Sequence, residues 1–180
     1  MTLLTLFPPH PLGDFPCRMR GPRDGGSDWF VQDRWPEGGV SRIDVDVEVP
    51  GVRFNCVRPD FLQTTHGIPL LSARFVQNLE DAVLKDVDLV PARLHLKGAT
   101  ADFHALRIRS TRDLVDAERS SFFTSRGQRV LARPTLRDVP DDFWFARDTE
   151  FRTLWVASPR IGALIAERRL HVSPVSASDD

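Results

Sequence analysis

Hydrophobic and polar positions alternate most strictly at residues 43–49, IDVDVEV. Ile43, Val45, Val47 and Val49 fall on one face, and Asp44, Asp46 and Glu48 on the other. A period of two predicts a half-buried strand with an acidic outer face. Pro50-Gly51 ends it as a turn, and VRFNCV, 52–57, follows as the predicted second strand of a hairpin. Upstream, residues 8–28 hold five prolines and four glycines, a density that predicts irregular chain. WFVQD, 29–33, reads as a short strand after it.

A period near four takes over at residues 72–84. Phe75, Leu79 and Val83 make one stripe with Val76 beside them, and Glu80 and Asp81 lie on the polar side. This predicts a helix capped by the Ser72 hydroxyl. VDLVPARLHL, 87–96, returns to strand composition, with Pro91 pointing to an edge or a bulge. FHALRIRS, 103–110, is a strand whose apolar residues change parity, which predicts a bulge or a register change. RDLVDAERSS, 112–121, reads equally as a strand end or a turn. QRVLARPTL, 128–136, is a strand broken by its proline, and PDDFWFARD, 140–148, a short helical turn opened by Pro140. FRTLWVAS, 151–158, is a buried strand leading into a helix over about 159–168, with Ser158 as cap and Pro159 at its first position. LHVSPV, 170–175, closes as a strand before the polar tail SASDD.

Two stretches thus share a phrase: LLSARFVQNL, 70–79, and VASPRIGALI, 156–165. Each passes from apolar residues through Ser-x-Arg into a helix stripe. Capping accounts for the serines; the arginines are not explained by it. The pattern predicts a single α+β domain over 1–180. It is built on a mixed or antiparallel sheet with two principal Ser-capped helices, about 72–84 and 159–168. Residues 1–57 form an arm plus strands, 58–175 the αβ core and 176–180 the tail.

The 180 residues carry a net charge of −1, which argues against a nonspecific nucleic-acid binder. The start of the chain lacks a basic segment before its apolar run, and no run approaches membrane-spanning length. We therefore expect a cytoplasmic, soluble protein with no membrane and no nucleic-acid partner. Cys17 and Cys56 lie outside any metal-spaced set and read as two free thiols, the alternative being a disulfide between them.

Candidate chemistry is sparse. His10, His66, His95, His104 and His171 stand outside metal or catalytic motifs, so no metal and no cofactor is expected. His66, in the loop THGIP, is the one histidine placed for catalysis, with Asp60 or Asp113 as its carboxylate. The acidic set Asp44, Asp46 and Glu48 can bind a divalent cation, present a negative stripe to a basic partner, or be a solvated strand face. FTSRGQR, 123–129, sets Arg126 and Arg129 around a glycine, either as a phosphate site or as a plain turn.

From Asp60 onward the order of segments resembles a known family. PDFLQTTHGIPLLSARF, 59–75, is similar to the Ser-x-Arg segment of the Imm11 immunity proteins of bacterial polymorphic toxin systems, also called the DUF1629 family. LVDAERSS, 114–121, resembles that family's Asp-x-x-x-Ser segment, here Asp116 and Ser120. DDFWFARDTEF and then LWVASPRIGALIAERRLHV, 154–172, resemble its closing strand, helix and strand. The likeness spans roughly residues 58–173. It implies a cytoplasmic, non-enzymatic protein that neutralises a cognate toxin domain by protein–protein contact, without a cofactor. Its shared residues look structural, so Asp44, Asp46 and Glu48 are the partner-binding candidates. The alternatives are a small enzyme built on His66 and a regulatory subunit of a larger assembly.

Overall fold

The computed structural model describes residues 3–10, 12, 16–20, 30, 40–125 and 127–177. The fold is a mixed α/β structure made mostly of strands. In chain order the strands are β1 (Leu4–Phe7), β2 (Cys17–Met19), β3 (Ile43–Pro50), β4 (Phe61–Gln63), β5 (Pro69–Ser72), β6 (Val87–Lys97), β7 (Ala99–Ile108), β8 (Thr111–Arg112), β9 (Ser121–Ser125), β10 (Gln128–Arg133), β11 (Phe145–Asp148), β12 (Trp155–Ala157) and β13 (Ser173–Ser176). The helices are α1 (Gly51–Val57), α2 (Ala73–Gln77) and α3 (Pro159–Arg168), with a 3-10 turn at Asp81–Lys85.

Six strands form one sheet in the order β2-β3-β6-β7-β5-β4. The sheet curls until its two edges meet. Cys17 bridges Thr64, just past β4, and the Thr65 N–H donates to the Cys17 carbonyl at 2.9 Å. Ile43, Val45, Val47 and Val49 point into the curl, as their alternation requires, beside Leu62, Leu70, Leu94 and Ala105. β6 and β7 form a long hairpin whose turn uses Gly98 at φ 83°, a conformation natural only to glycine.

The outer face of this sheet divides in two. Phe61, Leu71, Val87, Leu106 and Ile108 form a second core with Leu6, Phe145, Trp155 and Ala157. Those last four lie on the five-stranded sheet β13-β1-β12-β11-β8. Phe75 of α2 and Ile161 and Ile165 of α3 join the same core. A third, small core of Leu3, Leu114, Phe143, Ala146 and Val156 backs the five-stranded sheet. β9 and β10 form a separate two-stranded ribbon.

Several expectations are corrected by this layering. Among the described residues the single predicted sheet is three. VRFNCV is helix α1 rather than a strand: only Gly51 and Phe54 are buried on it, Val52 is 79% exposed, and Phe54 packs edge-on against Phe103 at 6.0 Å. One anchored aromatic overrides the β propensity of the flanking valines. The predicted helix 72–84 breaks after Gln77 and resumes as the 3-10 turn. The 140–148 segment supplies strand β11, fully buried, rather than a helical turn. The expected bulge in β7 is absent, since its register with β6 runs unbroken from Leu96↔Ala99 to Val87↔Ile108. The parity change arises because the strand passes from one core to the other: Phe103 and Ala105 face the first, Leu106 and Ile108 the second. Within the Pro/Gly-rich 8–28 segment Cys17–Met19 is strand β2, and in the N-terminal arm Leu4–Phe7 is an inner strand, paired with both β12 and β13. The predicted strand 29–33 lies outside the described residues except for Phe30.

Pro91 fits its expected setting. β3 pairs with β6 only from Ala92 onward, so the half of β6 that holds Pro91 has one neighbour, and a missing N–H is tolerated there.

Candidate functional site

The acidic candidates share the outer face of β3, but cations neutralise two of the three. Asp44 Oδ1 lies 2.7 Å from His95 Nε2, across on β6, and Arg42 stands 3.8 Å from its other oxygen. The His95 hydrogen bond, helped by Arg42, holds the Asp44 carboxyl below its ordinary range. Asp46 accepts from Arg20 Nε at 2.7 Å, and that bond lowers its pKa in the same way. Further along the face, Arg93 pairs with Asp102 at 3.2 Å. The surface is a cross-strand lattice of alternating charge, with Glu48 exposed at one end, and not a continuous negative stripe. Among the described residues no three His, Cys, Asp or Glu side chains gather into a metal-holding group.

His66 is not brought to either candidate carboxylate. It is exposed in the loop after β4, whereas Asp60 stands at the opposite end of that three-residue strand. Asp113 pairs with Arg137 at 3.2 Å. The cavity beside His66, lined by Gly67, Ile68, Arg147 and Trp155, has a volume of about 20 Å³, room for a water molecule. The two cysteines are thiols, Cys56 exposed and Cys17 buried, and burial pushes the Cys17 pKa up to about 12.

Asp60 is a structural centre. The residue is buried, and its carboxylate accepts from the Ser72 hydroxyl at 2.6 Å, Arg74 Nη1 at 3.1 Å and the His171 N–H at 2.8 Å. The Ser72 oxygen also accepts from the Phe75 N–H at 3.0 Å and so caps α2. Arg74 Nη2 donates to the Arg168 and Arg169 carbonyls at 2.9 and 3.0 Å, closing the C-terminal end of α3. Ser158, in the second copy of the phrase, holds the N-cap position of α3 without a capping bond from its hydroxyl. There the arginine, Arg160, lies 5.8 Å from the Trp144 ring.

Asp148, 1% exposed, plays a similar part. It accepts backbone N–H groups from Leu114, Val115, Glu150 and Phe151 at 2.7–3.0 Å. Asp116 receives the Glu118 and Arg119 N–H groups, and the Ser120 hydroxyl oxygen receives the Thr135 N–H at 2.8 Å. These two residues fasten the base of the β9–β10 ribbon.

The pairing of 128–133 with 121–125 into a ribbon is what sequence reasoning missed, although it read 128–136 as a strand. Its register pairs Phe123 with Val130 and Phe122 with Leu131, and a one-residue bulge sets Arg133 opposite Ser121. Phe122 and Phe151 lie 5.6 Å apart, ring to ring, and the Arg129 guanidinium sits 3.5 Å from the Phe122 ring centre. That face of the ribbon meets the body of the protein. Phe123 and Val130 alternate to the other face, where Phe123 is 52% exposed. Arg126 lies outside the described residues. The available signal was charge: residues 119–137 hold five of the chain's 24 basic residues and none of its 25 acidic ones.

No family model matches the chain, and no curated protein compared with it matches. The likeness to immunity proteins rests on the quoted segments alone.

Proposed function

We propose that the chain is one α+β domain that neutralises a cognate toxin domain in the cytoplasm by non-catalytic protein–protein contact. The observation in favour is the use made of the residues that carry the family likeness. Asp60, Ser72 and Arg74 clamp α2 to the end of α3, and Asp116 and Ser120 set the base of the ribbon. Residues spent inside a scaffold leave partner recognition to the surface, as a binding protein requires. A standard interface takes about 800 Å² from each partner, a small part of this chain's 9935 Å² of accessible surface. The pairing of Asp44 and Asp46 turns the expected negative stripe into a mixed-charge face, one that offers register more than long-range attraction.

The test is a tagged pull-down from the native cells, with the retained protein expressed alone and together with this chain. A stoichiometric partner whose domain stops growth alone, and not on co-expression, supports the proposal. A retained partner without toxicity, or no partner, refutes it.

A further inference from the structure

We propose that the outward face of the β9–β10 ribbon, Phe123 with Val130 and Arg133, is the docking surface for an acidic, apolar-centred patch on the partner protein. This rests on the toxin-binding reading above.

Three observations converge on it. Phe123 is a large aromatic left 52% exposed, in the middle of a strand whose other aromatic is spent on Phe151. Half-exposed aromatics beside arginine are the side chains that most often anchor protein interfaces. The ribbon is also held in place before any partner arrives. Its base is fastened through Ser120 and Thr135, its near face by Phe122 against Phe151, and Arg129 is laid over Phe122. A surface already ordered loses little conformational entropy on binding.

The third observation is charge, and it selects the partner. Residues 119–137 hold five arginines and no acid in a chain whose net charge is −1. Arg133 lies opposite Ser121, on the Phe123 face, because of the bulge in β10. Of the arginines described in this segment, Arg137 is paired with Asp113, Arg129 covers Phe122 on the inward face, and Arg119 and Arg133 are exposed. A local cationic field with an aromatic centre complements an acidic rim around an apolar pocket, which raises association rate and fixes register. An open β-ribbon with arginines also suits a nucleic-acid groove. The face sets Phe123 and Val130 beside Arg133, and an apolar centre with few cations favours the protein, since nucleic-acid affinity grows with the number of phosphates contacted.

The experiment uses the full chain and three variants in the same native-cell pull-down: Phe123→Ser, Arg133→Glu, and the control triple Asp44→Asn, Asp46→Asn and Glu48→Gln. Circular dichroism and thermal melts verify that each is folded. The partner retained by the wild-type chain is then purified and its affinity for each chain is measured at two salt concentrations. The expected result is a loss of about tenfold or more for Phe123→Ser and a loss for Arg133→Glu that is accompanied by a flatter salt dependence. The control triple retains binding. Unchanged affinity in both ribbon variants overturns the ribbon proposal, and the toxin-binding reading survives if that partner is toxic. Ribbon variants that lose a non-toxic partner leave the docking surface standing and remove the toxin reading. Absence of any partner, or a nucleic acid eluting with the wild-type chain and released by the charge reversal, overturns the proposal.

Discussion

Replacing Asp60 with alanine removes three acceptor contacts at once, and their unequal surroundings set the cost. Arg74 is 55% exposed at its side chain, so water replaces its lost partner at little expense. The His171 N–H and the Ser72 hydroxyl point at a carboxylate that is 4% exposed, and both lose a charged acceptor. An orphaned buried donor costs about 1–3 kcal/mol. Two of them predict a loss of about 2–6 kcal/mol. With a urea slope of about 2 kcal/mol per molar, the midpoint falls by about 1–3 M. Asparagine discriminates a hydrogen-bond role from a steric one. Its carbonyl oxygen can take the position of Oδ2, which serves both Arg74 and His171, and its amide can donate to the Ser72 oxygen. Asp60→Asn is therefore expected to lose less than half as much as Asp60→Ala. Equilibrium urea unfolding followed by tryptophan fluorescence measures both. An alanine variant within about 1 kcal/mol of the wild type, or an asparagine variant as weak as alanine, refutes the clamp.

Two further predictions follow from close packing and from charge. A Cβ at Gly51 falls 2.6 Å from the Ala99 Cβ, so Gly51→Ala is expected to destabilise by about 1–3 kcal/mol despite better helix propensity; thermal melts should show recovery when Ala99→Gly is added. Asp46 titrates below its ordinary value because Arg20 hydrogen-bonds it. A depressed folded pKa contributes stability above the unfolded value, lost as pH falls through the folded one. Carboxyl NMR titration should therefore show Asp46 moving upward in Arg20→Gln, and an unmoved midpoint would contradict the pairing.

The legible parts of the fold are those whose local pattern agrees with their tertiary setting. β3 alternates because only one of its faces is apolar. α3 begins at Pro159 and ends near Arg168 because start and stop chemistry are both local. β10 stops at Arg133 because Pro134 follows. The illegible parts have a tertiary cause. LTLF at 4–7 is too short to announce itself as an inner strand. Gly51 and Phe54 turn 51–57 into a helix through Ala99 and Phe103, which lie some fifty residues away in the chain. β7 hides its regular pairing because successive residues face different cores. Of the candidate site, the acidic strand was visible as a pattern but its neutralisation was not, since Arg20, Arg42 and His95 reach it from β2, the loop before β3 and β6. Of the ribbon, β10 was legible as a strand and its arginines in composition, but its pairing with β9 was not, and the exposure of Phe123 depends on which aromatic finds Phe151.

The repeated Ser-x-Arg phrase has different meanings in its two places, and the difference explains why its arginine is needed. In the first copy Arg74 leaves its own helix and binds the carbonyls at the end of the helix that the second copy begins. Those carbonyls carry the negative end of the α3 dipole and lack partners within the helix. One guanidinium spans them and Asp60 together because its donors are held in a planar fork; a lysine ammonium concentrates its donors at one point and cannot cover the three acceptors in the same geometry. The first unit therefore terminates the helix of the second, so that 70–79 and 156–165 are coupled parts of one scaffold. A pattern that looks like duplication in the sequence is thus a reciprocal contact in space, and the parts of the chain left free for recognition are those that the phrase does not touch.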